Sequence, residues 1–226
     1  TCALPIFRYA PRARGIAAAV FAEGKTLRFP DYRLLSTGVY AKTETPSLSA
    51  ESAFALVDRF SALACPVKLI NRGKTAKTAR LAYYFEPDLQ PLFAASEHPA
   101  FSDLNLRAAY DAARSALVLS RMEKGRNAAS LAVGFADLSP FTFSCDRELF
   151  PGDDPFAVFP AALDNAVSFA FPAAAVQTEL RLEPGAKKEK ILLLCPGPTP
   201  AQALNTLARM RRARLPDLRR AERSEE

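Results

Sequence analysis

Apolar and polar residues alternate with a period of two along most of this chain. In Ala64–Ile70, Val67 and Leu69 share one face and Lys68 takes the other, which is the pattern of a half-buried strand. Asn71-Arg72-Gly73-Lys74 follows as a turn signal. Lys77–Phe85 then resumes with Leu81, Tyr83 and Phe85 on one face, and the spacing predicts a hairpin from the two runs. A second hairpin is predicted from Thr178–Leu182, the turn Glu183-Pro184-Gly185 and Lys188–Cys195. Further strands are expected at Tyr32–Tyr40, Leu104–Tyr110, Ser115–Arg121, Ala129–Phe135 and Phe141–Cys145, with Glu123-Lys124-Gly125-Arg126 as a turn. Ser49–Ser61 fits either a helical turn or a loop entering a strand, and Asp153–Asn165 is expected to hold a short helix.

The period changes after Pro196-Gly197-Pro198. Leu204, Leu207 and Met210 recur at helical spacing. Thr199 is the expected N-cap, with Gln202 three residues on as its capping-box partner. Arg209, Arg211, Arg212 and Arg214 favour the negative C-terminal end of a helix, and Pro216 is expected to end it. Many antiparallel strands followed by one basic helix place the chain in the all-β class, as a large antiparallel two-sheet β-sandwich with a C-terminal linker helix.

Composition supports that class and narrows the partners. The chain has 226 residues, with 18 prolines and only 9 glycines, and proline is confined to strand edges and connections. Tryptophan, a frequent platform on sugar-binding surfaces, is absent, which leaves 16 Phe and 6 Tyr to serve in its place. The net charge of +6 gathers in Arg209–Arg220. Such a tail suits nucleic acid or an anionic surface, yet no basic residues interleave with aromatics in a nucleic-acid-binding pattern, so a docking helix is the preferred reading and no nucleic-acid partner is expected. Cys65, Cys145 and Cys195 sit scattered in apolar runs. That arrangement makes neither a disulfide framework nor a metal site and fits a reducing, cytoplasmic compartment. No cofactor is expected. Pro155–Thr178 is the longest weakly charged stretch, but Asp164 and several prolines disqualify it as a membrane span. Thr1–Ile6 and Arg223–Glu226 read as translations of one sequencing-adapter tail in its two orientations, so native sequence is expected from about Phe7 to Glu222.

Four segments, taken in order, carry a family likeness. The first is Val67-Lys68-Leu69-Ile70-Asn71 leading to Tyr83-Tyr84-Phe85-Glu86-Pro87. The second, His98-Pro99-Ala100-Phe101-Ser102-Asp103-Leu104, holds the chain's sole histidine. The third is Asp146-Arg147-Glu148-Leu149-Phe150-Pro151-Gly152, and the fourth runs from Leu180 to Gly185 through a strand to Thr199–Met210. Together they resemble the N-terminal β-sandwich, a galactose mutarotase-like supersandwich, of glycoside hydrolase family 94 and of cyclic β-1,2-glucan synthase-like proteins. The third segment departs from the family pattern at Asp153, where an Arg is expected.

The resemblance implies a β-sandwich over residues 7–197 and a helical linker over 198–222 leading toward an (α/α)-barrel that carries the catalytic carboxylate. It implies inverting phosphorolysis in the parent protein, in which an acid protonates the leaving oxygen while phosphate attacks the opposite face. This chain is then a carbohydrate-binding and structural domain, inactive alone, of a protein acting on β-glucans. Its expected partners are its own barrel, a β-glucan oligosaccharide and a second copy in a homodimer, and the parent protein can associate with the inner membrane. No catalytic residue is assigned. His98, Asp103 and Arg147 are the candidate carbohydrate contacts. Each has a structural alternative: His98 as a turn-holding histidine, Asp103 as a backbone cap, and Arg147 as part of an exposed ion-pair group with Asp146 and Glu148. Two rival readings are a free-standing glycan-binding module and a basic nucleic-acid interaction domain.

Overall fold

The computed structural model describes residues 16–29, 33–35, 38–87, 89, 105–150, 154–157, 159–167 and 172–213. These form thirteen strands and one α-helix. The strands are β1 (Ala17–Ala22), β2 (Lys25–Arg28), β3 (Arg33–Leu35), β4 (Gly38–Glu44), β5 (Leu48–Val57), β6 (Ala62–Asn71) and β7 (Lys77–Phe85), followed by β8 (Leu106–Asp111), β9 (Ala116–Glu123), β10 (Arg126–Phe135), β11 (Thr142–Asp146), β12 (Pro172–Leu182) and β13 (Lys187–Gly197). The helix α1 spans Pro200–Arg212. A five-stranded sheet, ordered β11-β12-β7-β1-β2, packs on an eight-stranded sheet, ordered β3-β4-β5-β6-β13-β10-β9-β8. Neighbouring strands run antiparallel throughout. The expected all-β supersandwich with a C-terminal helix is the observed fold.

Alternation places the core as the sequence predicts. Val67 and Leu69 of β6 and Leu81, Tyr83 and Phe85 of β7 all point between the sheets and are fully buried. The other face of β1, with Ala17, Ala19 and Phe21, and the far half of that face of β7, with Ala82 and Tyr84, are also apolar. Ala19, Ala82 and Tyr84 face outward into a second cluster with Phe150, Phe156, Phe159 and Leu163. The segment carrying the last three residues therefore covers the outer face of the small sheet. It does so without the helix expected in Asp153–Asn165: its described residues form turns and irregular backbone. Asp154 accepts a bond from the Phe156 amide at 3.0 Å and Asp164 one from Ala166 at 3.0 Å. Such local bonds compete with helix, and Pro160 lacks the amide that a helix interior needs.

Both hairpins expected from the sequence are corrected. β6 and β7 lie in different sheets, as do β12 and β13. The pairs that form are β6 with β13 and β7 with β12. Each connection is an arch that crosses the core, and the two arches stack at Asn71. The fully buried Asn71 donates through Nδ2 to the carbonyls of Thr75 (2.8 Å), Leu182 (3.0 Å) and Glu183 (3.2 Å), and its Oδ1 accepts from the Gly73 amide at 2.9 Å. Its backbone amide donates to Ala186, and its carbonyl accepts from Gly185, both at 3.0 Å. The physical reason for arches is the burial phase. β6 and β7 each carry inward apolar residues that meet across the sandwich, and both strands have neighbours on either side.

Two other elements differ from expectation. Tyr32–Tyr40 is two strands, since Leu35 pairs with Gly38 to close β3 on β4. An added Cβ at Gly38 would lie 2.1 Å from the Phe54 carbonyl oxygen, so β5 leaves room only for glycine there. Ser49–Ser61 resolves into β5 and a 3-10 turn at Asp58–Phe60.

The helix is integral to the large sheet. Ala203, Leu207 and Met210 are buried against Ala62, Ala64, Ala116, Ala132 and Leu193 on its outer face, and Leu204 is partly buried there. Thr199 caps it as expected. Its Oγ1 accepts from the Gln202 amide at 3.3 Å and its hydroxyl donates to Gln202 Oε1 at 3.1 Å. At the far end, Arg211 donates to the carbonyls of Phe135 (2.8 Å), Arg114 (2.5 Å) and Ser115 (3.0 Å), and burial lowers its pKa. No helix among the described residues is long and apolar enough to cross a membrane.

Candidate functional site

Two of the four family-like segments, the first and the third, meet at one end of the small sheet. In β7, Tyr84 and the residue two places on, Glu86, point the same way, as strand periodicity requires. The Tyr84 hydroxyl donates to Glu86 Oε1 at 2.8 Å. Arg147, from the third segment, brings its Nε to 3.3 Å from the same oxygen. The 3-10 turn Arg147–Leu149 that presents it is held by the Asp146 side chain, which accepts from the Glu148 amide at 2.9 Å. Phe150, at the end of that turn, packs its ring 5.0 Å from the ring of Tyr84.

Exposure divides the roles. Glu86 is 8% exposed, so its charge requires the phenol and the guanidinium as partners. Arg147 has 37% of its side chain exposed, so it joins a buried carboxylate to the surface. A carboxylate that accepts from two donors on different segments fixes their geometry. Asp146 caps a turn, and Arg147 pairs with Glu86 rather than in the alternative ion-pair group with its sequence neighbours.

His98 and Asp103 lie outside the described residues, so of the three candidate contacts only Arg147 is placed. Two closely spaced carboxylate pairs in the sequence, Asp153 with Asp154 and Glu86 with Asp88, each have one member outside the described residues. The described members are engaged, Asp154 in an ion pair with Arg28 and Glu86 with Arg147. Among the described residues, no three His, Cys, Asp or Glu side chains group as metal ligands. The thiols of Cys65, Cys145 and Cys195 are buried. Burial pushes Cys195 up to about 12 despite the opposing charge of Arg211, and it pushes Cys65 up as well, with Cys195 adding to the effect.

Sequence reasoning missed the Tyr84–Glu86 contact, although its i, i+2 spacing was visible. It also missed a second polar group at the opposite end of β7. Lys77, 8% exposed, pairs with Glu23 in the β1–β2 turn, and Ser47 donates to the same carboxylate at 2.7 Å. Hydrogen bonds from Lys77 and then Ser47 hold the Glu23 carboxyl below its ordinary 4.5.

Three solved structures of carbohydrate-acting enzymes share this fold. A protein assigned as a kojibiose phosphorylase, from the human microbiome, superposes with a TM-score of 0.55 at 10% identity, over 92% of this chain and 26% of its own. A bacterial glucoamylase complexed with acarbose gives 0.57 at 8% identity, over 96% and 32%. A polysaccharide lyase gives 0.52 at 11% identity, over 88% and 28%. The chain thus spans between about a quarter and a third of these structures, and at such identities the likeness is one of fold. No curated protein matches it in sequence. The sequence does match a family description over residues 48–213, from β5 through α1, and the chain therefore belongs to the glycosyl hydrolase 94 supersandwich-domain family.

Proposed function

We propose that this chain is the accessory, non-catalytic sandwich of a glycoside phosphorylase or cyclic β-glucan synthase-type protein acting on β-glucans, and that it works beside an (α/α)-barrel. The observation that carries this reading is the family match, which runs through the sandwich and on into the docked helix. The Glu86 cluster supports it. A general acid needs a transferable proton and a path to the substrate, whereas Glu86 is buried and accepts from Tyr84. In this reading Arg147 serves the barrel-facing side, where its exposed donors meet sugar hydroxyls or the barrel itself, and His98 and Asp103 are further carbohydrate contacts.

The experiment is to supply the isolated chain with phosphate and β-glucan oligosaccharides and measure glucose 1-phosphate. None is expected. Sustained release that is lost in the Glu86→Gln variant would overturn the accessory role.

A further inference from the structure

We infer that a cleft at the Lys77 end of the small sheet is a binding site for a neutral polyhydroxyl ligand, a short oligosaccharide, separate from the Arg147 rim. The cleft encloses about 390 Å³, within the range of roughly 300–1,000 Å³ typical of ligand pockets. Its floor is a row of four side chains on four adjacent strands. Thr26 of β2 pairs with Phe21 of β1, Phe21 with Arg80 of β7, and Arg80 with Glu179 of β12. All four line the cleft, which follows from cross-strand partners sharing a face.

Arg80 is held in place before any ligand arrives. Its Cζ lies 5.0 Å from the centre of the Phe21 ring, and its Nη1 donates to the carbonyls of Pro160 (3.1 Å) and Ala161 (2.8 Å). Its Nε and Nη2 make no bond among the described residues, which leaves one edge of the guanidinium fork open. Glu179, directly opposite, is exposed and makes no ion pair with Arg80 or any other described residue. Two unlike charges therefore line one cleft without closing on each other. An open pair of guanidinium donors beside a carboxylate acceptor on the next strand suits adjacent hydroxyl groups, which accept and donate together. The lining is charge-balanced, with Lys25 and Arg80 against Glu23 and Glu179. An anionic or cationic ligand would meet a like charge on either wall, so a neutral ligand is preferred. Preorganisation lowers the entropy lost when such a ligand binds.

The inference rests on the carbohydrate reading above for its choice of probes. The test titrates the whole chain with cellotetraose and with a β-1,2-linked glucotetraose, followed by amide NMR shifts. Saturable shifts at Phe21, Thr26, Thr78, Arg80 and Glu179 are expected. Glu179→Ala, and Arg80→Lys, which keeps the charge and loses the fork, should each weaken binding by about tenfold, with unchanged melting as the fold control. Arg147→Ala should leave this binding intact. No saturable binding of either probe overturns the inference. So does binding that survives Glu179→Ala and is lost in Arg147→Ala, a result that leaves the accessory role standing. Glucose 1-phosphate formation by the isolated chain would overturn that role without touching the cleft.

Discussion

Replacing Asn71 tests whether one side chain holds the two arches together. Asn71→Ala removes three donated bonds and one accepted bond at a fully buried position. The groups it abandons are unequal. Leu182 is fully buried, so its carbonyl is left dry, at a cost of about 1–3 kcal/mol. Thr75, Gly73 and Glu183 lie nearer solvent, and water replaces much of what they lose, at about 0.5 kcal/mol each. The sum is about 3 kcal/mol, a large part of the roughly 5–15 kcal/mol of a typical domain. Asn71→Asp should be worse than alanine, because a carboxylate can still accept from Gly73 but faces three carbonyl oxygens that need a donor. The assay is urea unfolding followed by tyrosine fluorescence and circular dichroism, with a thermal midpoint expected to fall by roughly 6–12 °C. Stability of Asn71→Ala within about 0.5 kcal/mol of the parent, or Asn71→Asp as stable as the parent, would refute the reasoning.

Gly134→Ala should loosen the helix, since its Cβ would lie 2.5 Å from Arg211 Nη2 and 2.8 Å from the Ser115 carbonyl. A loss of about 1–3 kcal/mol and faster amide exchange over residues 200–212 are expected, and unchanged exchange would show that α1 is held elsewhere. The Glu23 carboxyl has a folded pKa below its ordinary 4.5, so its contribution to stability is present above 4.5 and is lost as pH falls through the lowered value. Glu23→Gln should therefore flatten the acid side of the stability profile, and an unaltered profile would count against the Lys77 pairing. The buried thiols should resist a maleimide at pH 8 in the folded protein and react fully in urea, and rapid labelling of Cys195 without denaturant would contradict the packing of α1 on β13.

The candidate site was legible only in pieces. Tyr84 and Glu86 stand two apart in a clear strand, so their shared face could be read directly. Arg147 lies far along the chain, in a segment whose proximity to β7 depends on β11 and β12 joining the same sheet. The opposed Arg80 and Glu179 are likewise brought face to face by the β7–β12 register alone. Charge spacing along the chain holds no trace of either meeting.

The sequence alone determined the strands from β6 to β13, their inward faces and the capped helix. Period-two alternation, a Thr199 cap and a stripe through Leu207 and Met210 are local properties, fixed by where each side chain must point. The tertiary structure decided which strands are neighbours. Asn71-Arg72-Gly73 announces that the chain reverses, and a reversal into a hairpin or into an arch uses the same residues. Backbone ladders carry the same donors and acceptors whatever strand they meet. Partner choice therefore falls to the packing of both faces of β6 and β7 and to the buried amide of Asn71, which finds its acceptors only when the second arch lies beside the first.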